Sequence, residues 1–441
     1  VRAAALLLPL LLHAAQARAG NDEQILLGND AAMSGGAVTA TASDGGALWY
    51  NVALIGAVER NQLDASGNLF SYRFNSVPQL LRASSGETAG AGGLEVNAVP
   101  SVLTFLRRLG PGIAGGFGLF VTDAQSYSQR AVLEAPGPPF TRVRGDSNDI
   151  RRNWHGTVGI GFRLSDTLRF GVRLFLDAEN VQVDSTFFVD RGVGDASTDL
   201  LGQQLRLDLD VIGIGAGAGL HWAPGNGFEL GVSVLSPRLD LAASFSTSSV
   251  LVAAAVEPGT EGTLTYLPTD VETLDLGVAS TRPFMLRVGL AWRFARGWIS
   301  VDADLRTPNI DQVLARRTGA NVRLGGRFRL DEIWSLGGGL FTDLASSPPL
   351  DPAEDGIGSR RMSFLGGTFG VELRSRVGTA EGEDPPDLVF QTTVAVRYAY
   401  GWGQAVGLEV EVPPTVGPDR EFLGASRTHE VSLHVGSGLA F

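Results

Sequence analysis

The sequence predicts an all-β protein: a transmembrane antiparallel β-barrel of about 14 strands with an N-terminal plug. Three observations predict it. From about Leu69 onward apolar residues recur at every second position, the connections alternate between short and long, and the chain opens on a segment with the layout of an export signal. A run of roughly 18 or more apolar residues, which a membrane helix needs, is absent from the sequence. A barrel strand needs only about 10 residues with one apolar face.

The elements follow in order. Arg2 supplies a positive start, Ala3 to Leu12 an apolar core, and Ala17-Arg18-Ala19 a cleavage site, so residues 1–19 are predicted to be a signal peptide and the mature chain to begin at Gly20. Residues 20–64 do not alternate. They are small and rich in Gly and Ala, too poor in large apolar side chains to form a core alone, and are assigned as a plug held inside the barrel. A free periplasmic extension is the alternative reading of that composition.

Residues 65–441 are assigned to the barrel. Leu168, Phe170, Val172, Leu174 and Leu176 share a face opposite Arg169, Arg173 and Asp177. The same pattern sets Leu286, Val288, Leu290 and Trp292 against Arg287 and Arg293, and Val322, Leu324 and Phe328 against Arg323 and Arg327. Short turns are read at 110–112, 165–167, 224–227, 295–297 and 331–332. Long external loops are read at 75–93, 123–150, 187–200, 240–282, 307–319, 345–359 and 402–430, with room in 240–282 for extended strand ends. Soluble sandwiches have no reason to sort their loops this way. Even strand parity puts both chain ends on the periplasmic side, although the 377–387 connection is long for that place.

The last strand places Val431, Leu433, Val435, Leu439 and Phe441 on one face. Phe441, Leu439 and Gly436 resemble the C-terminal insertion signal of bacterial outer-membrane proteins, which implies the barrel-assembly machinery as a partner. Charges opposite the apolar faces must line the lumen, since each would cost about 2–4 kcal/mol on the lipid side at mid-bilayer. This reading turns Arg206, Asp208 and Asp210 inward together with Arg169, Arg173, Arg287, Arg323, Arg327 and Arg397, most of them filling the lumen by mutual pairing. The planar fork of an arginine also suits a carboxylate, making Arg169, Arg173, Arg287 and Arg327 candidate ligand contacts.

Several chemistries are excluded or unsupported. The chain has no cysteine, which removes disulfides, thiolate metal sites and a cysteine nucleophile. Its net charge of −12 argues against nucleic acid. The histidines lack metal-ligand spacing, the acidic stretches Asp190–Asp199 and Asp351–Asp355 lack the spacing of a calcium loop, and neither a nucleophile elbow nor a phosphate loop occurs. No catalytic residue, metal or cofactor is expected.

The segment Met33 to Ala53 resembles the FadL-type long-chain fatty-acid transporters of bacterial outer membranes. That family carries a Gly-Gly-Ala run, Ala-x-Ala-x-Asp and a closing Tyr-Asn-Pro-Ala. This chain has Gly35, Gly36, Ala37, Ala40, Ala42, Asp44, Tyr50, Asn51 and Ala53, with Val52 where the family has proline. Weaker echoes are Pro100-Ser101 and Gly116 to Val121. The resemblance implies a bacterial outer-membrane location, a monomer set among outer-membrane lipids, and passive uptake of fatty acids or similar hydrophobic compounds. It assigns Asp44, Tyr50, Asn51 and Ala53 to the plug and gate, beside a kink in the third strand that opens the wall sideways. A water-filled porin and a structural or adhesive surface protein are the competing readings.

Overall fold

The computed structural model describes residues 25–135, 141–193, 197–255, 263–275, 282–308, 316–352, 357–377, 388–410 and 420–441. The expected signal peptide and cleavage site lie outside the described residues.

Alternation produces strands nearly everywhere after the first segment. They are β1 (Gln62–Ala83), β2 (Thr88–Gly110), β3 (Ile113–Ala135), β4 (Thr141–Arg163), β5 (Leu168–Val193), β6 (Ser197–Trp222), β7 (Phe228–Leu235) and β8 (Leu239–Ala255). There follow β9 (Thr263–Asp275), β10 (Met285–Phe294), β11 (Gly297–Arg306), β12 (Gly319–Arg329), β13 (Trp334–Asp343), β14 (Arg360–Val377), β15 (Leu388–Val410) and β16 (Arg420–Ala440). β1 starts at Gln62, so residues 62–64 belong to the wall and not to the N-terminal segment.

Neighbouring strands pair antiparallel, and β1 closes the ring by pairing with both β2 and β16. β7 pairs with residues 217–222 of β6 and β8 with residues 199–214, so the two are pieces of one wall strand. β9 and β10 are likewise the outer and inner pieces of the next, paired with β8 and β7. The sixteen segments therefore make a closed wall of 14 strands. Closure pairs the first and last strands, so the ring has no free outer edge of the kind that a bilayer, where water is absent, does not tolerate. The short connections turn on glycines with positive φ, such as Gly112 at 70° and Gly225 at 88°.

The exterior carries a belt of large apolar side chains. Leu174, Phe369 and Leu119 are 64%, 60% and 59% exposed, and Ile299, Val301, Val322 and Leu324 continue the belt. An apolar surface encircling the wall marks a lipid-facing band.

Two expectations are corrected. Most stretches read as long external loops are strand: β3 runs to Ala135, β4 resumes at Thr141, and β15 and β16 reach Val410 and Arg420. In these extensions the polarity inverts. Leu207, Leu209 and Val211 are buried, whereas Arg206 and Asp210 are exposed and Asp208 half-buried. Arg206, Asp208 and Asp210 therefore point away from the lumen. Above the lipid band the outside is water, so the polar face turns outward and the apolar face inward.

Candidate functional site

Residues 25–57 lie inside the ring, because they meet the inward faces of strands all round it. Asp302 in β11 accepts from the Thr39 amide at 2.7 Å, and Arg287 in β10 donates to the Trp49 carbonyl at 2.9 Å. Arg173 in β5 donates to the Leu48 carbonyl, and Arg327 in β12 meets Asp30 at 3.0 Å. Asp64 in β1 accepts from the Gly45 amide at 2.9 Å, and His434 in β16 lies 3.2 Å from the Asn29 side chain.

The segment contains two short helices, α1 (Asn29–Met33) and α2 (Ala47–Tyr50), then a 3₁₀ turn over Val52–Ala57. Asp44 organises the first part. Its Oδ2 accepts from the amides of Asn29 at 2.5 Å and Asp30 at 3.1 Å, and its Oδ1 from Gly46 at 3.0 Å. Burial, with the neighbouring carboxylates of Asp30 and Asp64, pushes the Asp44 carboxyl well above the usual carboxylate range. Tyr50 accepts from the Leu27 amide at 3.3 Å, and Arg287 stacks over its ring at 5.2 Å. Asn51 Oδ1 accepts from the Ala53 amide at 3.1 Å, which caps the 3₁₀ turn without the proline that Val52 replaces. Ala53 is fully buried.

Wall glycines make room for this chain. A Cβ on Gly231 would stand 2.1 Å from the Thr39 carbonyl oxygen, and one on Gly325 2.1 Å from that of Ser34. Gly171 and Gly339 meet the backbone of Val52 and Ser34 in the same way, and Gly219 and Gly436 meet the side-chain oxygens of Asn51 and Asn29. Glycine in a strand interior weakens it, and close approach of another backbone is the usual reason for keeping it.

Along β5 the lumen changes character with height. Arg173 reaches the N-terminal segment, Asp177 and Glu179 form a charged layer, and Val181 and Val189 are buried in an apolar mouth. The mouth is closed by the end of β1. Leu81, Arg82 and Ala83 pair in parallel with Leu408, Glu409 and Val410 of β15, above the point where β14 stops pairing. Val77, Leu80 and Leu81 thereby pack with Leu133, Val143, Val189 and Leu408 from other parts of the ring.

Among the described residues, the ladder between β2 and β3 is interrupted. β2 and β3 pair from Val102↔Phe120 down to Gly110↔Ile113, and again only at Gly92↔Arg130. Between these, residues 93–101 and 121–129 have no ladder pair with each other. A bulge in β3 between Val121 and Asp123 coincides with the upper limit of the lower ladder. Behind this seam Val99 and Ala124 pack on an apolar cluster that includes Trp49, Val102, Leu106 and Phe120. Inside, Arg73 of β1 spans it, donating to Gln125 of β3 at 3.3 Å and lying 3.6 Å from Glu95 of β2. It also pairs with Glu430 of β16 at 2.9 Å.

The four candidate arginines do not converge. Arg173 and Arg287 hold carbonyls of α2, with Arg287 also 3.5 Å from Asp304, and Arg327 pairs with Asp30 and Glu372. Arg169 lies apart, with Nη1 3.2 Å from His221 Nδ1 and its Nε without a partner among the described residues. Phe441 exchanges backbone hydrogen bonds with Asn61 at 2.9 and 3.0 Å, Leu439 stands opposite Leu63, and Gly436 faces Asn29. Sequence reasoning missed Arg73 and His155, and it had a sideways opening at a kink in the third strand only from the resemblance, without its residues. One signal was readable: the outward face of β3 shifts from odd residues (Phe117, Leu119) to even ones (Arg130, Val132), which requires an extra residue between them.

No family model matches the sequence, and no curated protein matches it. The fold is shared with solved structures. A Pseudomonas aeruginosa FadL homologue superposes with a TM-score of 0.60 at 11% identity, over 95% of this chain and 99% of its own. The P. putida toluene transporter TodX gives 0.56 at 14% identity, over 94% and 98%. The Ralstonia pickettii toluene transporter TbuX gives 0.51 at 14% identity, over 94% and 98%.

Proposed function

We propose that this chain, which has the fold of the FadL homologue and TodX, is a passive outer-membrane transporter for hydrophobic small molecules. The observation that carries the proposal is the unpaired β2–β3 seam backed by Val99, Ala124, Phe120 and Trp49. An apolar molecule in the mouth faces a charged layer and a packed N-terminal segment below it. Crossing those layers would strip it of apolar contacts, whereas the seam leads from an apolar cluster to the lipid-facing wall. Residues 20–61 act in this reading as a plug, with Asp44, Tyr50, Asn51 and Ala53 fixing its shape.

A porin needs an open aqueous path, and the packed lumen speaks against it. Small aromatic hydrocarbons such as toluene, for which TodX and TbuX are named, and long-chain fatty acids both suit such a route. For a substrate with a carboxylate, Arg169 has donor capacity to spare, while Arg173, Arg287 and Arg327 are committed to the plug and its acids. Phe441, Leu439 and Gly436 serve insertion by the assembly machinery.

The test is transport in cells that carry the protein in their outer membrane. Radiolabelled toluene or oleate should enter faster than in cells without it, while a hydrophilic sugar of similar size enters no faster. Accelerated sugar entry with unchanged toluene and oleate would establish the porin reading instead.

A further inference from the structure

His155 lies on the inner face of β4, fully buried, beside the β3 bulge and paired in register with Phe120. Three aromatic rings enclose it. Trp49 of the plug stands edge-on at 4.7 Å, Phe175 lies at 4.8 Å and Phe120 at 6.2 Å between ring centroids. Its Nδ1 is 2.6 Å from Asp177 Oδ1, and Arg282 holds the other carboxylate oxygen at 2.9 Å. Asp177 accepts, so Nδ1 carries the proton and the neutral ring presents a lone pair at Nε2.

That Nε2 has no partner among the described residues, and neither do Thr122 Oγ1 at the bulge or Asn153 Oδ1 on β4. All three residues are more than nine-tenths buried. Asn153 and His155 are two positions apart on one strand, hence on the same face and about 7 Å apart. Buried polar atoms are normally hydrogen-bonded, and three orphans on one wall beside the seam call for an occupant. On the lipid-facing side of the same wall an open apolar groove of about 840 Å³ is lined by Leu119, Val158, Leu174, Gly215 and Pro237, and Phe175, which packs on His155, reaches its lining.

We propose that this patch is a binding site for a hydroxyl-bearing aromatic molecule of the phenol class. Its ring lies among Trp49, Phe120 and Phe175, and its hydroxyl donates to His155 Nε2. Asn153 and Thr122 supply the further polar contacts, and a shift of Trp49 with the plug admits the ring. The proposal rests on the transport reading above and deepens it: the barrel accepts apolar molecules but retains those with one hydroxyl more tightly.

The test compares p-cresol with p-xylene, which have nearly the same shape and differ in the hydroxyl. Binding of each to the purified full-length protein in detergent is measured by calorimetry. The wild type should bind p-cresol about tenfold more tightly, the worth of one or two neutral hydrogen bonds. His155→Phe should abolish that preference, so that p-cresol and p-xylene bind alike, while His155→Gln, which keeps an acceptor, should restore part of it. If His155→Phe does not give a folded barrel, Asn153→Leu and Thr122→Val carry the same comparison. Equal affinity of the wild type for the two compounds, or a preference that survives these changes, overturns the proposal and leaves the orphan atoms to ordered water. Failure to bind either compound would instead count against the transport reading.

Discussion

The side-chain amide of Asn51 donates to the carbonyl of Leu220 in β6 at 3.1 Å and to the carbonyl of Thr39 at 2.9 Å. One side chain thus ties two parts of the plug to each other and to the wall. Asn51→Leu removes these bonds and leaves a buried carbonyl unsatisfied, at about 1–3 kcal/mol. The wall ladders do not involve it, so the barrel should still fold and migrate faster on gels unheated than boiled. Conductance in planar bilayers should rise. Unchanged conductance would show that the plug does not depend on this residue.

A second prediction follows from Gly231, where a Cβ would stand 2.1 Å from the Thr39 carbonyl. Gly231→Val is compatible with a strand, and the three atoms nearest its Cβ, from Thr39 and Ala40, all belong to the plug. We expect a stable barrel with increased leak to small ions. Gly338, whose Cβ would meet nothing closer than 3.5 Å, is the control, and Gly338→Val should leave conductance near that of the wild type.

The arginines separate plug binding from headgroup binding. Arg287→Ala should raise leak and alter oleate and toluene uptake alike, because it releases the Trp49 carbonyl. Arg169→Ala should weaken oleate binding on the order of 10- to 150-fold, the loss of one charge-assisted hydrogen bond, and leave toluene unaffected. Equal effects of Arg169→Ala on both substrates would remove it from the headgroup role.

Asp44 makes plug docking depend on pH. Its carboxyl is raised in the docked plug, so between the ordinary and the raised value the docked state binds protons more readily than the undocked segment. Its contribution to docking is complete below the ordinary aspartate value of about 3.9 and is lost as pH rises through the raised one. Lowering pH from 7.5 to 5 should therefore reduce leak conductance or leave it low. A leak that grows over that range contradicts the assignment.

Strand faces were legible in the sequence wherever the outside is lipid and the inside polar: Leu174 and Leu176 against Arg173 and Asp177 needed no structure. Above the bilayer the same alternation runs with inside and outside exchanged, so Leu207, Leu209 and Val211 looked lipid-facing and Arg206 looked inward. Period-two alternation carries no information on which face is which; the surrounding solvent decides. The breaks at Ser236-Pro237 and in β3 are local departures from regular pairing whose consequence depends on the neighbouring strand. The motif at Tyr50-Asn51 drew attention to the segment that lies inside the ring, but its contact with β6 joins residues 169 positions apart in the chain. The arginine assignments went furthest astray in emphasis, because a lumen-facing guanidinium is equally suited to a backbone carbonyl of the plug and to a ligand carboxylate.

The most direct test of the account is to close the seam. The chain has no native cysteine, so Val99→Cys and Ala124→Cys place the only two thiols on β2 and β3 within the seam, where both residues pack on the same apolar cluster. A bifunctional methanethiosulfonate should bridge them in cells, and uptake of labelled toluene and oleate is then measured before and after reduction. We predict that bridging suppresses uptake at least tenfold, that each single-cysteine variant treated alike transports normally, and that reduction restores the rate. Uptake that continues unchanged through a fully bridged wall would contradict lateral exit between β2 and β3.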